Sequence, residues 1–411
     1  MSQQNRRKIT RRRMLQGGAG LAASGMIGSG TAAEGDRPAN KLGVYEALGV
    51  KPVINAAGTF TALGGSVMPP EVVAAWADAA RHFVDLLELQ DKVGERIAKL
   101  LGVEAAMVTT GAAGALLLGT AAAVTRGDRK LIARLPDTAG MKNEVIIQKA
   151  HHSCYDNQLT DVGVKLIDVE TPADIPRAVN SKTALMFFMN MAEPNGKISR
   201  EEWVNRARRL DIPTLLDAAA DVPPVARLSE YTKLGFDLVA VSGGKAIGGP
   251  NDTGLLLGRK DLIEAAKLNA NPHCGTIGRM MKVGKEDMVA LWAAVERFVK
   301  VDYEADCREI ARRLELIAAA VKEIPSVQCE GIMPPIANHV PHLQITWDQK
   351  RVRITREEVT RQLAASDRPI HIGRVPGTGD KGILISALTL QEGEEQIVAR
   401  RLGEILTKAS S

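Results

Sequence analysis

Asp237-Leu238-Val239-Ala240-Val241-Ser242-Gly243-Gly244-Lys245-Ala246-Ile247-Gly248-Gly249-Pro250 is the stretch on which the reading of this chain turns. Asp237–Val241 is short, apolar and valine-rich, and it stops at a serine and two glycines. A run of that kind reads as a strand buried on both faces, as in a parallel sheet, rather than one alternating between core and solvent. Working outward, the same pattern recurs at Ala105–Thr109, Glu144–Gln148, Val164–Val169, Ala184–Met189, Pro213–Leu216 and Thr253–Leu257. Helical patterns lie between these runs. In Arg200–Leu210, for example, Trp203, Val204, Ala207 and Leu210 recur at helical spacing. Strands alternating with helices predict an α/β domain with a doubly wound, mainly parallel sheet.

Beyond that domain, Glu286–Ile324 reads as a long helical stretch linking domains. The tail mixes strand-like Leu343–Trp347 and Gly382–Leu388 with helices Arg356–Ala365 and Glu392–Leu406, which predicts a small C-terminal α+β domain. The expected division is 1–33, 34–60 as an N-terminal arm, 61–285 as the large domain, 286–325 as the linking helix and 326–411 as the small domain.

Residues 1–33 differ in character. Thr10-Arg11-Arg12-Arg13-Met14-Leu15-Gln16 precedes an uncharged run of small and apolar residues ending in Thr31-Ala32-Ala33. That run is too short and too weakly apolar for a bilayer span, and its order of basic block, apolar block and small residues resembles a twin-arginine export signal. A periplasmic or exported protein without stable membrane insertion is therefore expected. The segment holds six Lys and Arg and no acid, so the remaining 47 basic residues face 48 acidic ones. A body with a net charge of −1, in a chain only 3% aromatic, excludes a surface built for nucleic acid. Cys154, Cys274, Cys307 and Cys329 have no metal-ligand spacing and are expected to be free thiols, and no metal is expected.

Three features carry chemistry. Val108-Thr109-Thr110-Gly111-Ala112-Ala113-Gly114 ends a strand in small residues and opens the apolar helix Ala115–Val124; backbone N–H groups exposed there favour an anion such as phosphate. Asp217 closes the run Pro213–Leu216 at the position where open α/β sheets bind ligands, although alone it reads more readily as a helix N-cap. Lys245 follows 28 residues later in its glycine-rich loop, where desolvation can lower an amine's pKa enough for Schiff-base chemistry; alone, it is a solvated loop lysine.

Together these residues resemble the fold-type-I pyridoxal-phosphate enzymes, and more closely the branch of bacterial selenocysteine synthase and D-glucosaminate-6-phosphate ammonia-lyase. The resembling stretches are Ile54-Asn55-Ala56-Ala57-Gly58-Thr59, Thr110-Gly111-Ala112-Ala113, Leu216-Asp217, Ser242 through Pro250, and Gly254 to Lys260. The resemblance implies that Lys245 carries the cofactor aldehyde and moves protons at the substrate Cα, while Asp217 keeps the pyridine nitrogen protonated. It implies Thr110, Gly111, Ala112 and Ser242 for the phosphate. His152, in preference to His151, would stack on the ring, and Asn190 would hydrogen-bond the ring hydroxyl. Arg374, in His371-Ile372-Gly373-Arg374, and the loop residues Arg279 and Lys282 are the candidates for an acidic or phosphorylated substrate.

The activity implied by the resemblance is that of a pyridoxal-phosphate-dependent lyase acting on an amino acid or amino-sugar acid, with ammonia release, working as a homodimer or larger homo-oligomer. A transferase, racemase or aldolase of the same fold is the alternative, and a non-catalytic exported binding protein is the alternative from another class. A transfer-RNA substrate is disfavoured by the short N-terminal arm and the neutral body.

Overall fold

The computed structural model describes residues 43–374 and 382–411. The export-like segment at residues 1–33 lies outside them. One compact unit ends at Val50 and contributes the short helix Val44–Ala47. The second unit, Lys51–Ser411, holds both sheets.

Among the described residues, twelve strands appear in chain order: β1 (Ile54–Ala56), β2 (Ala105–Thr110), β3 (Glu144–Gln148), β4 (Lys165–Val169), β5 (Thr183–Met189), β6 (Thr214–Asp217), β7 (Leu238–Ser242), β8 (Thr253–Gly258), β9 (Val327–Ile332), β10 (His342–Trp347), β11 (Ile370–Arg374) and β12 (Gly382–Ser386). Seven of them form one sheet in the order β2-β8-β7-β6-β5-β3-β4. β8 runs antiparallel to both neighbours, and the pairings among β3 to β7 are parallel. All seven expected runs are strands of this sheet, within one or two residues at each end.

Alternate residues of each strand enter two separate cores. Val108, Ile146, Phe188, Leu216, Val239 and Leu255 face one side; Met107, Ile147, Phe187, Leu215, Ala240 and Leu256 face the other. Strands packed on both faces have no side left for polar residues, which is why their sequences are unbroken apolar runs. The helix Gly111–Thr125 fills the second core and is buried almost all round, so it carries no polar stripe either.

Five strands build the smaller sheet, ordered β1-β11-β12-β10-β9, over a third core of its own. β1 comes from the expected N-terminal arm yet pairs parallel with β11, Ile54 opposite Ile370. The stretch read as one linking helix is two, Lys285–Phe298 and Tyr303–Ala319. Asp302 causes the break: it is extended, and its carboxylate accepts the Ala305 N–H, starting a new helix. All four cysteines are free.

Candidate active site

Register places the candidate residues at one edge of the large sheet. Asp217, the last residue of β6, lies opposite Ala240 of β7 and Met189 of β5. Ser242 ends β7 opposite Gly254 of β8, and Gly254 in turn lies opposite Thr109 of β2. The ends of β5, β6, β7 and β2 and the start of β8 therefore share an edge, and Lys245 follows directly after β7. Such an edge is where the crevices of open α/β sheets lie.

Asp217 is 8% exposed and its Oδ1 accepts the Ala219 N–H at 3.0 Å. Burial pushes its carboxyl up to about 6; that single hydrogen bond pulls the other way, Asp221 adds to the rise and Lys245 opposes it. Lys245 is half-buried, and burial lowers its amine below the ordinary lysine value against the pull of Asp217 and Asp221. The two groups thus feel each other's charge, and each is displaced toward its neutral form by lost water. A buried acid and a desolvated amine at one sheet edge mark this edge as a candidate functional site.

At the head of the helix Gly111–Thr125, Thr110 occupies the N-cap but makes no capping bond, and its buried Oγ1 has no partner among the described residues. Gly111 has φ +63, a conformation open mainly to glycine. The backbone approaches closely here, since a Cβ on Gly254 would stand 2.3 Å from the Gly111 carbonyl carbon. An uncapped helix start beside an orphaned hydroxyl is a place for an oxyanion. Phosphate on Thr110, Gly111 and Ala112, a ring nitrogen on Asp217 and an aldehyde on Lys245 fit what these residues offer, so the donor set suits pyridoxal phosphate.

The remaining expectations fare differently. Asn190 is fully buried beside this edge, but its Nδ2 donates to Asp221 Oδ2 and to the Tyr231 hydroxyl. Only its Oδ1 is left, without a partner among the described residues, so it can accept from a ring hydroxyl and cannot donate to one. His152 is held by two carboxylates, Asp156 at 2.5 Å and Asp168 at 2.8 Å. Burial lowers its pKa, but those two hydrogen bonds outweigh it and raise the ring above the ordinary histidine value. His151 is fully buried, edge-on to Phe188, with its Nδ1 accepting the Met189 N–H, and burial lowers it to about 4. Arg374, at the end of β11, and Arg279 and Lys282, in the loop before the helix Lys285–Phe298, are exposed. None of these three ion-pairs with Asp217 or forms another salt bridge among the described residues.

Sequence reasoning passed over Asp221, which is 2% exposed and accepts from both Asn190 and the Tyr231 hydroxyl. Its only signal was an acid four residues after Asp217 in a run of alanines. Among the described residues, no group of three or more His, Cys, Asp or Glu is placed to hold a metal ion, and no helix is long and apolar enough to cross a membrane.

A D-glucosaminate-6-phosphate ammonia lyase from Salmonella typhimurium (strain 14028s / SGSC 2262) is 30% identical over 379 residues, spanning 89% of this chain and 99% of that protein. A solved structure of D-glucosaminate-6-phosphate ammonia-lyase superposes with a TM-score of 0.77 at 28% identity, covering 90% of this chain and all of that one. A structure described as SPT with PLP shares the fold at a TM-score of 0.55 and 14% identity, covering 87% of this chain and 88% of that one. Residues 53–354 match the family model for L-seryl-tRNA selenium transferase. The chain therefore belongs to the L-seryl-tRNA selenium transferase family, as a pyridoxal-phosphate enzyme of fold type I.

Proposed function

We propose that the protein is a lyase releasing ammonia from an amino acid or amino-sugar acid. The observation that carries this reading is that the buried Asp217 carboxyl and the half-buried Lys245 lie at one edge of the large sheet, which also holds an uncapped helix start. The ammonia-lyase relative, matched over 99% of its own length, favours this outcome over transfer.

Bound pyridoxal phosphate supplies an electron sink for the carbanion formed at the substrate Cα. The chain supplies the rest. Thr110 and the N–H groups of Gly111 and Ala112 would hold the phosphate, with Ser242 on the other side of Gly254 at the same sheet edge. Asp217 holds a proton on the ring nitrogen; burial makes its charge strongly dependent on having that partner. Lys245, freed as an amine, takes the Cα proton, and burial, which lowers its pKa, favours the neutral form that this step needs. For a 2-amino-3-hydroxy acid, the Cα–H and Cβ–O bonds break, and the hydroxyl leaves as water. Hydrolysis then returns one water and releases ammonia and a 2-oxo acid, so the net change is loss of ammonia.

Residues 1–33 support export by a twin-arginine route, with the cofactor taken up before translocation. Phe60, Val67, Phe83 and Met280 are exposed on the larger domain and its N-terminal approach, which supports assembly as a homodimer or larger homo-oligomer. The test is to incubate the cofactor-loaded protein with D-glucosaminate, its 6-phosphate and a panel of amino acids while assaying ammonia and 2-oxo acid. Equal release of both from one substrate supports the lyase. Amino transfer to an added 2-oxo acid without ammonia would make it a transferase, and no turnover of any amine would favour a binding protein.

A further inference from the structure

The lysine loop is gripped by a segment with no role in the chemistry above. Between the single turn Thr61–Leu63 and the helix Pro70–Ala79, residues 64–69 run along residues 244–251. A Cβ on Gly65 (φ +72) would stand 2.3 Å from the Gly244 carbonyl oxygen and 2.5 Å from Asn251 Oδ1. A Cβ on Gly248 would stand 3.2 Å from Pro69 Cδ. Between these two contacts, Ser66 Oγ lies 2.7 Å from the Lys245 carbonyl oxygen and 3.1 Å from that of Gly244.

We infer that Ser66 is a positioning residue for Lys245: its hydroxyl ties down the peptide from which the reactive side chain departs. The loop needs such a tie. Gly243 and Gly244 precede the lysine and Gly248 and Gly249 follow it, so no side chains on these neighbours anchor the backbone that carries it. Its own turn supplies two restraints, the Gly248 N–H on the Lys245 carbonyl at 3.0 Å and the Gly249 N–H on the Gly243 carbonyl at 2.9 Å, and neither reaches the Gly244 carbonyl. For the Gly244 carbonyl, Ser66 is the only hydrogen-bond donor among the described residues. A hydroxyl has a single proton, so Ser66 shares it between two successive carbonyls and fixes the orientation of both. An amine held away from water tends to swing back out, and a shift of about 1 Å in a reacting group costs about a hundredfold in rate.

The positioning role presupposes that Lys245 is the cofactor-bearing lysine, and the experiment separates the two. Full-length wild-type, Ser66→Ala and Ser66→Thr proteins are titrated with pyridoxal phosphate at several pH values and reduced with borohydride. Label on Lys245 is then measured by peptide mass spectrometry, alongside far-ultraviolet circular dichroism. In Ser66→Ala the concentration giving half-maximal label should rise about tenfold and its pH dependence should move, while Ser66→Thr, which keeps the hydroxyl, stays near wild type. If folded Ser66→Ala labels with wild-type concentration and pH dependence, the positioning role is overturned while the lysine assignment stands. If the wild-type protein takes no label on Lys245, the lysine assignment fails and the positioning role falls with it. Should Ser66→Ala be insoluble, Ser66→Cys, with a weaker donor of similar shape, is read by the same two outcomes.

Discussion

Asp217 shows most directly how burial and chemistry are linked in this protein. Its carboxyl is raised from 3.8 to about 6 by loss of water, and at about 1.4 kcal/mol per decade the cost of keeping it ionised is about 3 kcal/mol. The unfolded chain releases this proton near pH 4 and the folded one near pH 6, so the cofactor-free protein loses stability as pH rises through that window. Asp217→Asn removes the cost. The cofactor-free variant should match wild type near pH 4 and exceed it by up to about 3 kcal/mol at pH 8, as measured by thermal unfolding at both values. Turnover should nonetheless fall by at least about 10²-fold, because the ring nitrogen loses its anionic partner. A variant no more stable at pH 8 would mean that Asp217 is better solvated than its burial indicates. Lys245→Ala should abolish the imine absorbance of the loaded protein and lower turnover by about 10³-fold or more. Imine absorbance that persists in that variant would move the cofactor to another lysine.

Among the elements, β2 is an edge strand whose outer side would otherwise offer free backbone groups. The helix Leu86–Leu101 covers it, and Gln90 on that helix pairs with Val108 as a strand would, donating from Nε2 to the carbonyl at 2.8 Å and accepting the N–H at Oε1 at 3.1 Å. Gln148 does the same for Ile198 across a connection, through bonds of 2.9 and 3.0 Å. Gln90→Ala strands two buried backbone groups, so chemical denaturation should show a loss of about 2–4 kcal/mol with an unchanged denaturant slope. A loss below about 0.5 kcal/mol would show that water replaces the amide. Element positions were largely legible in the sequence because a strand packed on both faces must be apolar throughout, as Leu215–Leu216 and Leu238–Val241 are. The break between the helices ending at Phe298 and starting at Tyr303 was not. An Asp caps a helix only when its own backbone is extended, and helical periodicity on both sides conceals the turn.

Over the whole molecule, the loop after Asp217 is also where the smaller sheet's side of the chain attaches. Arg227 donates to the Asp221 carbonyl at 3.0 Å and reaches the carbonyls of Pro335, at 3.0 Å, and Ile336, while the Asn338 N–H donates to the Ala220 carbonyl at 2.7 Å. Asp221 anchors that loop from within through Asn190 and Tyr231. Arg227→Ala should therefore raise amide hydrogen exchange at residues 336–340 at least about tenfold while leaving the large-sheet strands protected, as read by mass spectrometry. Unchanged exchange would mean that the Asn338 bond and the Tyr303 hydroxyl on the His339 carbonyl hold the segment without Arg227. Attachments of this kind are invisible to a reading of residues in order. The strands and the glycine-rich loop were determined by the sequence alone, because local composition and order along the chain govern each of them, whereas strand register brought Asp217 to the sheet edge that Lys245 follows. Tertiary structure alone decided that Ser66 grips the Lys245 peptide, that Asn190 has only its carbonyl to offer, that Ile54 joins the far sheet beside Ile370, and that His152 sits between two carboxylates. Those contacts join residues up to roughly 300 positions apart, and a hydrogen bond's partner is chosen by distance in space, which no spacing along the chain encodes.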